Sequence, residues 1–203
     1  KSETQFRLQS SSRLFLQAVT AANMSTSNSP GSDPDPNAHH WMAMNNRAPI
    51  ATHMKALLPG PAAEGPALEI GSGTGAQLEV LAVEFPGLSW RPSEYCTEQS
   101  VVRGFYEQGP DGPEPGHPVE KMRALADLDE VLGKLDNVLP AVELDASVPF
   151  ASWPSPVTEG AGSYALVFAS NVVHIAPWAV AEGIFAGAAA ALRPGGSLVF
   201  HGP

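Results

Sequence analysis

The chain has 203 residues, 43% hydrophobic and 16% charged, a balance that suits one α/β domain with a substantial core and excludes disorder throughout. Its formal net charge of −10 opposes non-specific binding to a phosphate backbone, so a small molecule or a protein is the expected partner rather than a nucleic acid. Cys96 is the only cysteine, which excludes an internal disulfide and a cysteine-rich zinc site and fits a reducing, cytoplasmic compartment; no apolar stretch is long enough to span a membrane.

Residues 1–38 carry no core pattern and read as a disordered tail. Ser, Asn, Pro and Gly dominate residues 25–37, the composition of a solvated segment. Upstream, Phe6, Arg7, Leu8, Arg13, Leu14 and Phe15 among many serines resemble an organellar transit peptide, while Met24 offers an alternative start. Residues 39–203 read as one domain. Its first helix is expected over 49–58, with Pro49 at an early position and Ile50, Met54, Leu57 and Leu58 on one face. That helix precedes a glycine-rich strand and is placed to cover what binds there.

The run ALEIGSGTG at 67–75 reads as a buried strand turning through glycines into a helix. A backbone that passes close to a nucleotide cofactor needs residues without a Cβ at the turn, and Gly71, Gly73 and Gly75 flank Ser72 and Thr74 in alternation. Leu78, Leu81, Ala82 and Phe85 then recur at the spacing of one helix face, and Pro86-Gly87 ends the run. Gly71-x-Gly73-x-x-Ala76 also satisfies the dinucleotide fingerprint of nicotinamide and flavin enzymes. Glu69 favours another ligand. A carboxylate there can hold the ammonium group of S-adenosylmethionine (SAM), whereas the pyrophosphate of a dinucleotide would be repelled. A tight turn without a ligand is the third reading.

A second strand is expected over 88–93, ending at Glu94. A carboxylate about 20 residues beyond the turn, at the end of the next parallel strand, is placed to accept from ribose hydroxyls. Residues 97–106 read as a helix, 109–118 as a Pro- and Gly-rich loop, and 119–135 as an amphipathic helix with Met122, Leu125, Leu128, Leu132 and Leu135 on its apolar side, a candidate lid. A third strand over 141–144 ends at Asp145, and a fourth over 164–170 is apolar enough to be buried on both faces. Asn171 and His174 follow. Pro177 opens a helix lined by Val180, Ile184 and Ala188, and Arg193-Pro194-Gly195-Gly196 closes it before a fifth strand over 197–201. Strands alternating with helices predict a parallel, doubly wound sheet with its ligand at the carboxyl ends of the strands. His39, His40 and His53 form no recognised metal-ligand spacing, and no metal site is expected.

Taken in order, these segments resemble class I SAM-dependent methyltransferases, and more narrowly the methyltransferase-like 26 proteins, also filed as domain of unknown function 938. The resemblance runs from about residue 40 to 203. It is carried by NRAPI at 46–50, LEIGSGTG at 68–75, FPGLSWRPSE at 85–94, Leu144-Asp145, NVVHIAPW at 171–178, EGIFAGA at 182–188 and Gly202-Pro203. It implies a Rossmann-like, mainly parallel sheet and SAM as cofactor. Gly71, Ser72, Gly73 and Gly75 would pass beneath the cofactor, Glu69 would steer its amino-acid end, Glu94 would hold the ribose and Asp145 would accept from the adenine amino group. Asn171 and His174 would lie near the transferred methyl group, orienting or deprotonating a small-molecule acceptor. The alternatives are a non-catalytic SAM-binding scaffold and an NAD-dependent oxidoreductase.

The sequence also departs from that family. Asn45 stands where arginine is usual, Gly71 where alanine is common, Gln77 where histidine is frequent and Glu94 where aspartate is typical. Class I methyltransferases complete the sheet with two further strands, whereas this chain stops at Pro203. The resulting expectation is a C-terminally truncated domain in which Leu198, Val199 and Phe200 lie on an uncovered sheet edge.

Overall fold

The computed structural model of the protein describes residues 15–20, 41–58, 63–95 and 125–202. In chain order the elements are strand β1 (Phe15–Thr20), helix α1 (Trp41–Leu57), β2 (Gly65–Ile70), α2 (Ala76–Glu84), β3 (Leu88–Glu94), α3 (Leu125–Leu132) and β4 (Val142–Glu143). A 3₁₀ turn (Phe150–Ser152), α4 (Ser155–Thr158), β5 (Tyr164–Ser170), α5 (Trp178–Ala191) and β6 (Leu192–Gly202) complete them. The strands form one sheet in the order β1-β6-β5-β2-β3-β4, and every pairing is parallel.

The chain enters the core at β2, steps outward to β3 and β4, then returns to the other side of β2 for β5 and β6. This is the expected doubly wound, Rossmann-like arrangement, and its topological switch lies between β2 and β5, where the chain leaves the two strands in opposite directions. β5 is buried along nearly its whole length, as its unbroken apolar run requires. Alternation along the strands divides the core into two layers. Ala67, Trp90, Phe168 and Val199 face α1, α2 and α3, meeting Ile50, Met54, Leu78, Leu81, Leu128 and Leu132. Leu68, Ile70, Val167, Ala169 and Leu198 face the opposite layer, meeting Trp153, Val157, Ile184, Ala188 and Ala191.

Several boundaries differ from the sequence reading. α1 begins at Trp41, so Pro49 lies inside it rather than at its start. Pro49 has no N–H to offer the carbonyl a turn earlier, and the helix persists because Ile50, Ala51, Met54 and Leu58 are buried against the sheet. The third strand is only Val142–Glu143, because the amide of Ala141 is taken by Asp129 Oδ1 and the Pro140 carbonyl by Arg91. Of the helix expected over 119–135, Leu125–Leu132 is described, and it packs Leu128 and Leu132 into the core. The segments at 97–106 and 109–118 lie outside the described residues, as do Cys96, His39 and His40.

Two features were absent from the sequence reading. Within the stretch read as tail, Phe15–Thr20 pairs in parallel with Ser197–Gly202, so β1 occupies the edge of β6 expected to be bare. An apolar edge strand offers unpaired backbone groups that an extended segment of the same chain can satisfy, and that outweighs the polar composition on either side. At the opposite end of the sheet the Asn137 amide donates to the carbonyls of Ala82, Phe85 and Leu88 at 2.9, 3.4 and 3.0 Å, fastening the end of α2 to the start of β3.

Candidate functional site

Register aligns the candidate residues across the carboxyl edge of the sheet. Ile70 lies level with Ser93 on one side and Ala169 on the other, and Ser170 pairs with His201, so Glu94, Gly71, Ser170 and His201 form one row. Glu69, Glu94, Ser170 and His201 each stand two residues beyond Ala67, Pro92, Phe168 and Val199. The period of two therefore places all four on the α1 and α2 side.

Beyond Ile70 the chain turns sharply, and the amides of Gly71 and Ser72 both donate to the Ser93 carbonyl, at 3.0 and 2.9 Å. Gly71, Gly73 and Gly75 all have left-handed φ, +73°, +56° and +83°. Their surroundings differ. A Cβ on Gly71 would stand 2.6 Å from Val172 Cγ2 and one on Gly75 3.2 Å from Leu132, whereas one on Gly73 would meet nothing within 4 Å. Gly71 and Gly75 thus serve packing, and Gly73 alone faces open space.

The Gly73 amide donates to Glu94 Oε2 at 2.7 Å and the Tyr95 amide to Oε1 at 2.9 Å. Burial raises the Glu94 pKa above the usual carboxylate value, and these two bonds oppose the rise. Each oxygen keeps a lone pair for a further donor. Glu69 is deeper, 1% exposed, and burial pushes its pKa up to about 8, with the nearby Glu94 adding to the rise and the Ser72 hydroxyl bond opposing it. Ser72 Oγ also accepts from the Ser93 amide at 3.2 Å, so its hydroxyl holds the turn together. Glu69 Oε2 has no hydrogen-bond partner among the described residues. A buried polar oxygen without a partner costs about 1–3 kcal/mol, which a ligand donor would recover.

Asp145 follows β4 at the same edge and is half-buried, its Oδ1 accepting from the Ser147 amide and hydroxyl at 2.8 and 2.6 Å. Asn171 has φ +57°, a left-handed conformation that Asn tolerates better than most residues, and its amide donates to the His201 carbonyl at 2.8 Å. The turn gives this position its own reason to be Asn. His174 is exposed in the segment leading to α5. Gln77 is buried at the start of α2, while Asn45 is exposed on α1.

His201 is the residue the sequence reading missed. It is 7% exposed, its Nδ1 lies 3.1 Å from Ser170 Oγ, and burial lowers its pKa from 6.5, with His53 and His174 acting in the same direction. The available signal was its place at the end of an apolar strand, level with Ser170. Among the described residues no group of three or more His, Cys, Asp or Glu could hold a metal, and no helix is long and apolar enough to cross a membrane.

Residues 37–203 match the family described as protein of unknown function DUF938. Among solved structures, the chain is similar to a SAM-dependent methyltransferase from Leishmania major at 14% identity and TM-score 0.49, covering 77% of this chain and 50% of that one. It is also similar to mitomycin 7-O-methyltransferase at 19% identity and TM-score 0.47, covering 78% and 35%. A third is phosphoethanolamine N-methyltransferase 2 of Haemonchus contortus, in complex with S-adenosylhomocysteine, at 18% identity and TM-score 0.48, covering 74% and 27%. The chain spans half or less of the length of these proteins.

Proposed function

The chain belongs to the DUF938 family, and we propose that it binds SAM and transfers the methyl group to an oxygen, nitrogen or sulfur of a small acceptor. One observation carries the reading: a fully buried carboxyl, Glu69, has an oxygen without a partner among the described residues, beside a glycine turn whose crest faces open space. That site fits an ammonium group. Ionised opposite such a cation, Glu69 would gain the charge-assisted bond its surroundings withhold. Glu94 would accept from vicinal hydroxyls with its remaining lone pairs, and Gly73 would let the ligand approach the backbone. Asp145 keeps Oδ2 for an amino donor. Glu94 beside the turn, and Glu69 once ionised, disfavour the pyrophosphate of a nicotinamide dinucleotide. When bound, the cofactor supplies an electrophilic methyl group on a sulfonium, and the protein's work is to align the acceptor with it and exclude water.

Calorimetry with SAM, S-adenosylhomocysteine and NAD tests the proposal. Binding of the first two, and its weakening in Glu69→Gln, is the expected result. Binding of NAD alone, or of none of the three, would overturn it.

A further inference from the structure

On the far side of the switch point from Glu94, the row across the sheet ends in a pair of polar groups on the face that also carries Glu69 and Glu94. His201 sits at the end of β6 beside Ser170 at the end of β5, with Ser170 Oγ and His201 Nδ1 3.1 Å apart. Both are on the side covered by α1, whose His53 acts on the imidazole, as does His174 from the segment after β5. The His201 carbonyl anchors the Asn171 amide at 2.8 Å, so its backbone is fixed to the turn that leaves β5. Among the described residues Nε2 has no hydrogen bond, so one ring nitrogen is engaged and the other is available.

We propose that His201 is the general base that takes the acceptor's proton, with Ser170 as the positioning residue that holds its Nδ1–H and leaves the Nε2 lone pair free. The inference rests on the methyl-transfer reading above. Its acceptor carries a protonated heteroatom. That heteroatom forms its bond to the methyl carbon as the carbon–sulfur bond of the sulfonium donor breaks, with the electron pair passing to sulfur. The heteroatom's proton passes to Nε2, leaving a neutral thioether, a methylated acceptor and an imidazolium that later returns the proton to water. A base must be neutral before the step. Burial and the histidines on both flanks keep His201 so at neutral pH. His174, expected in this role from its place after β5, is exposed and off the row.

The two directions of the Ser170–His201 bond leave opposite tautomers, and nitrogen NMR of the labelled imidazoles in the full chain distinguishes them without any acceptor. The expected result is a neutral His201 with Nε2 unprotonated and a pKa below 6.5, and a several-fold loss of that tautomer in Ser170→Ala. A wild-type ring protonated on Nε2, or a pKa at or above 6.5, would overturn the proposal. Calorimetry with S-adenosylhomocysteine provides the second arm. His201→Gln should bind it within about twofold of wild type, and a large loss would make His201 a cofactor group instead. Should wild type fail to bind S-adenosylhomocysteine, the methyl-transfer reading fails and takes this inference with it, whereas the wrong tautomer sinks the inference alone.

Discussion

The Gly73 amide donates to Glu94 Oε2 at 2.7 Å, so the crest of the glycine turn is tied to the end of β3 by a carboxylate that also faces the candidate cofactor site. Glu94→Ala should therefore lose on two counts. A hydrogen bond to a charged group is worth about 1.5–3 kcal/mol, and the free protein should melt lower by a comparable loss of stability. S-adenosylhomocysteine affinity should fall by about tenfold or more, read by calorimetry. Unchanged affinity in a folded mutant would remove Glu94 from the site.

Glu69 makes stability depend on pH. Its pKa rises from 4.5 unfolded to about 8 folded, so the native state holds a proton that the unfolded state has released between those values. The contribution is complete below 4.5 and is lost as pH rises toward about 8, on the order of 5 kcal/mol at 1.36 kcal/mol per unit. Melting curves of Glu69→Gln should gain on wild type across that window. SAM should run the other way, binding more tightly as Glu69 ionises, and a flat pH profile in both measurements would contradict this account.

The glycines of the turn should separate by phenotype. Gly71→Ala drives a Cβ toward Val172 and adopts a left-handed φ, so its cost belongs to folding, about 1–3 kcal/mol from overpacking plus strain. Gly73→Val finds room in the free protein, pays only the φ strain, and should lose S-adenosylhomocysteine binding. Melting and calorimetry on the two variants check this. The same phenotype in both would mean that Gly73 does not face a ligand.

β1 covers the outer edge of β6. A variant beginning at Met24 should bare that edge, melt at lower temperature and scatter more light at equal concentration. Identical melting and scattering would show that the pairing adds nothing to stability.

Elements defined by a local apolar pattern were legible in the sequence. β5 falls where its apolar run put it, and of the expected helix face Val180, Ile184 and Ala188, the last two are buried while Val180 is partly buried and its neighbour Ala181 goes in. Those set by distant partners were not. Pro49 reads as a helix start because proline favours that place, but burial of Ile50 and Met54 carries α1 through it. Phe15–Thr20 has no stripe of its own and is specified by the edge it meets. At the site, Glu69, Glu94 and the glycines announce themselves by spacing. The Ser170–His201 pair is created by register between two strands that the sequence separates, and no local pattern encodes it.

The Asn137 side chain faces three carbonyls as a donor, a geometry that gives the protein a chemical lifetime. Hydrolysis of that single amide to a carboxylate would replace its –NH2 group with one oxygen pointing at the Ala82, Phe85 and Leu88 carbonyls, turning attraction into repulsion with little change in shape. Asn137→Asp should reproduce the aged protein, destabilised by about 1–3 kcal/mol or more, with the loss largest above the carboxylate's pKa. In stored samples, a population heavier by one mass unit at Asn137 should melt first. An aged population melting with the fresh one would show that the end of α2 holds to β3 without this staple.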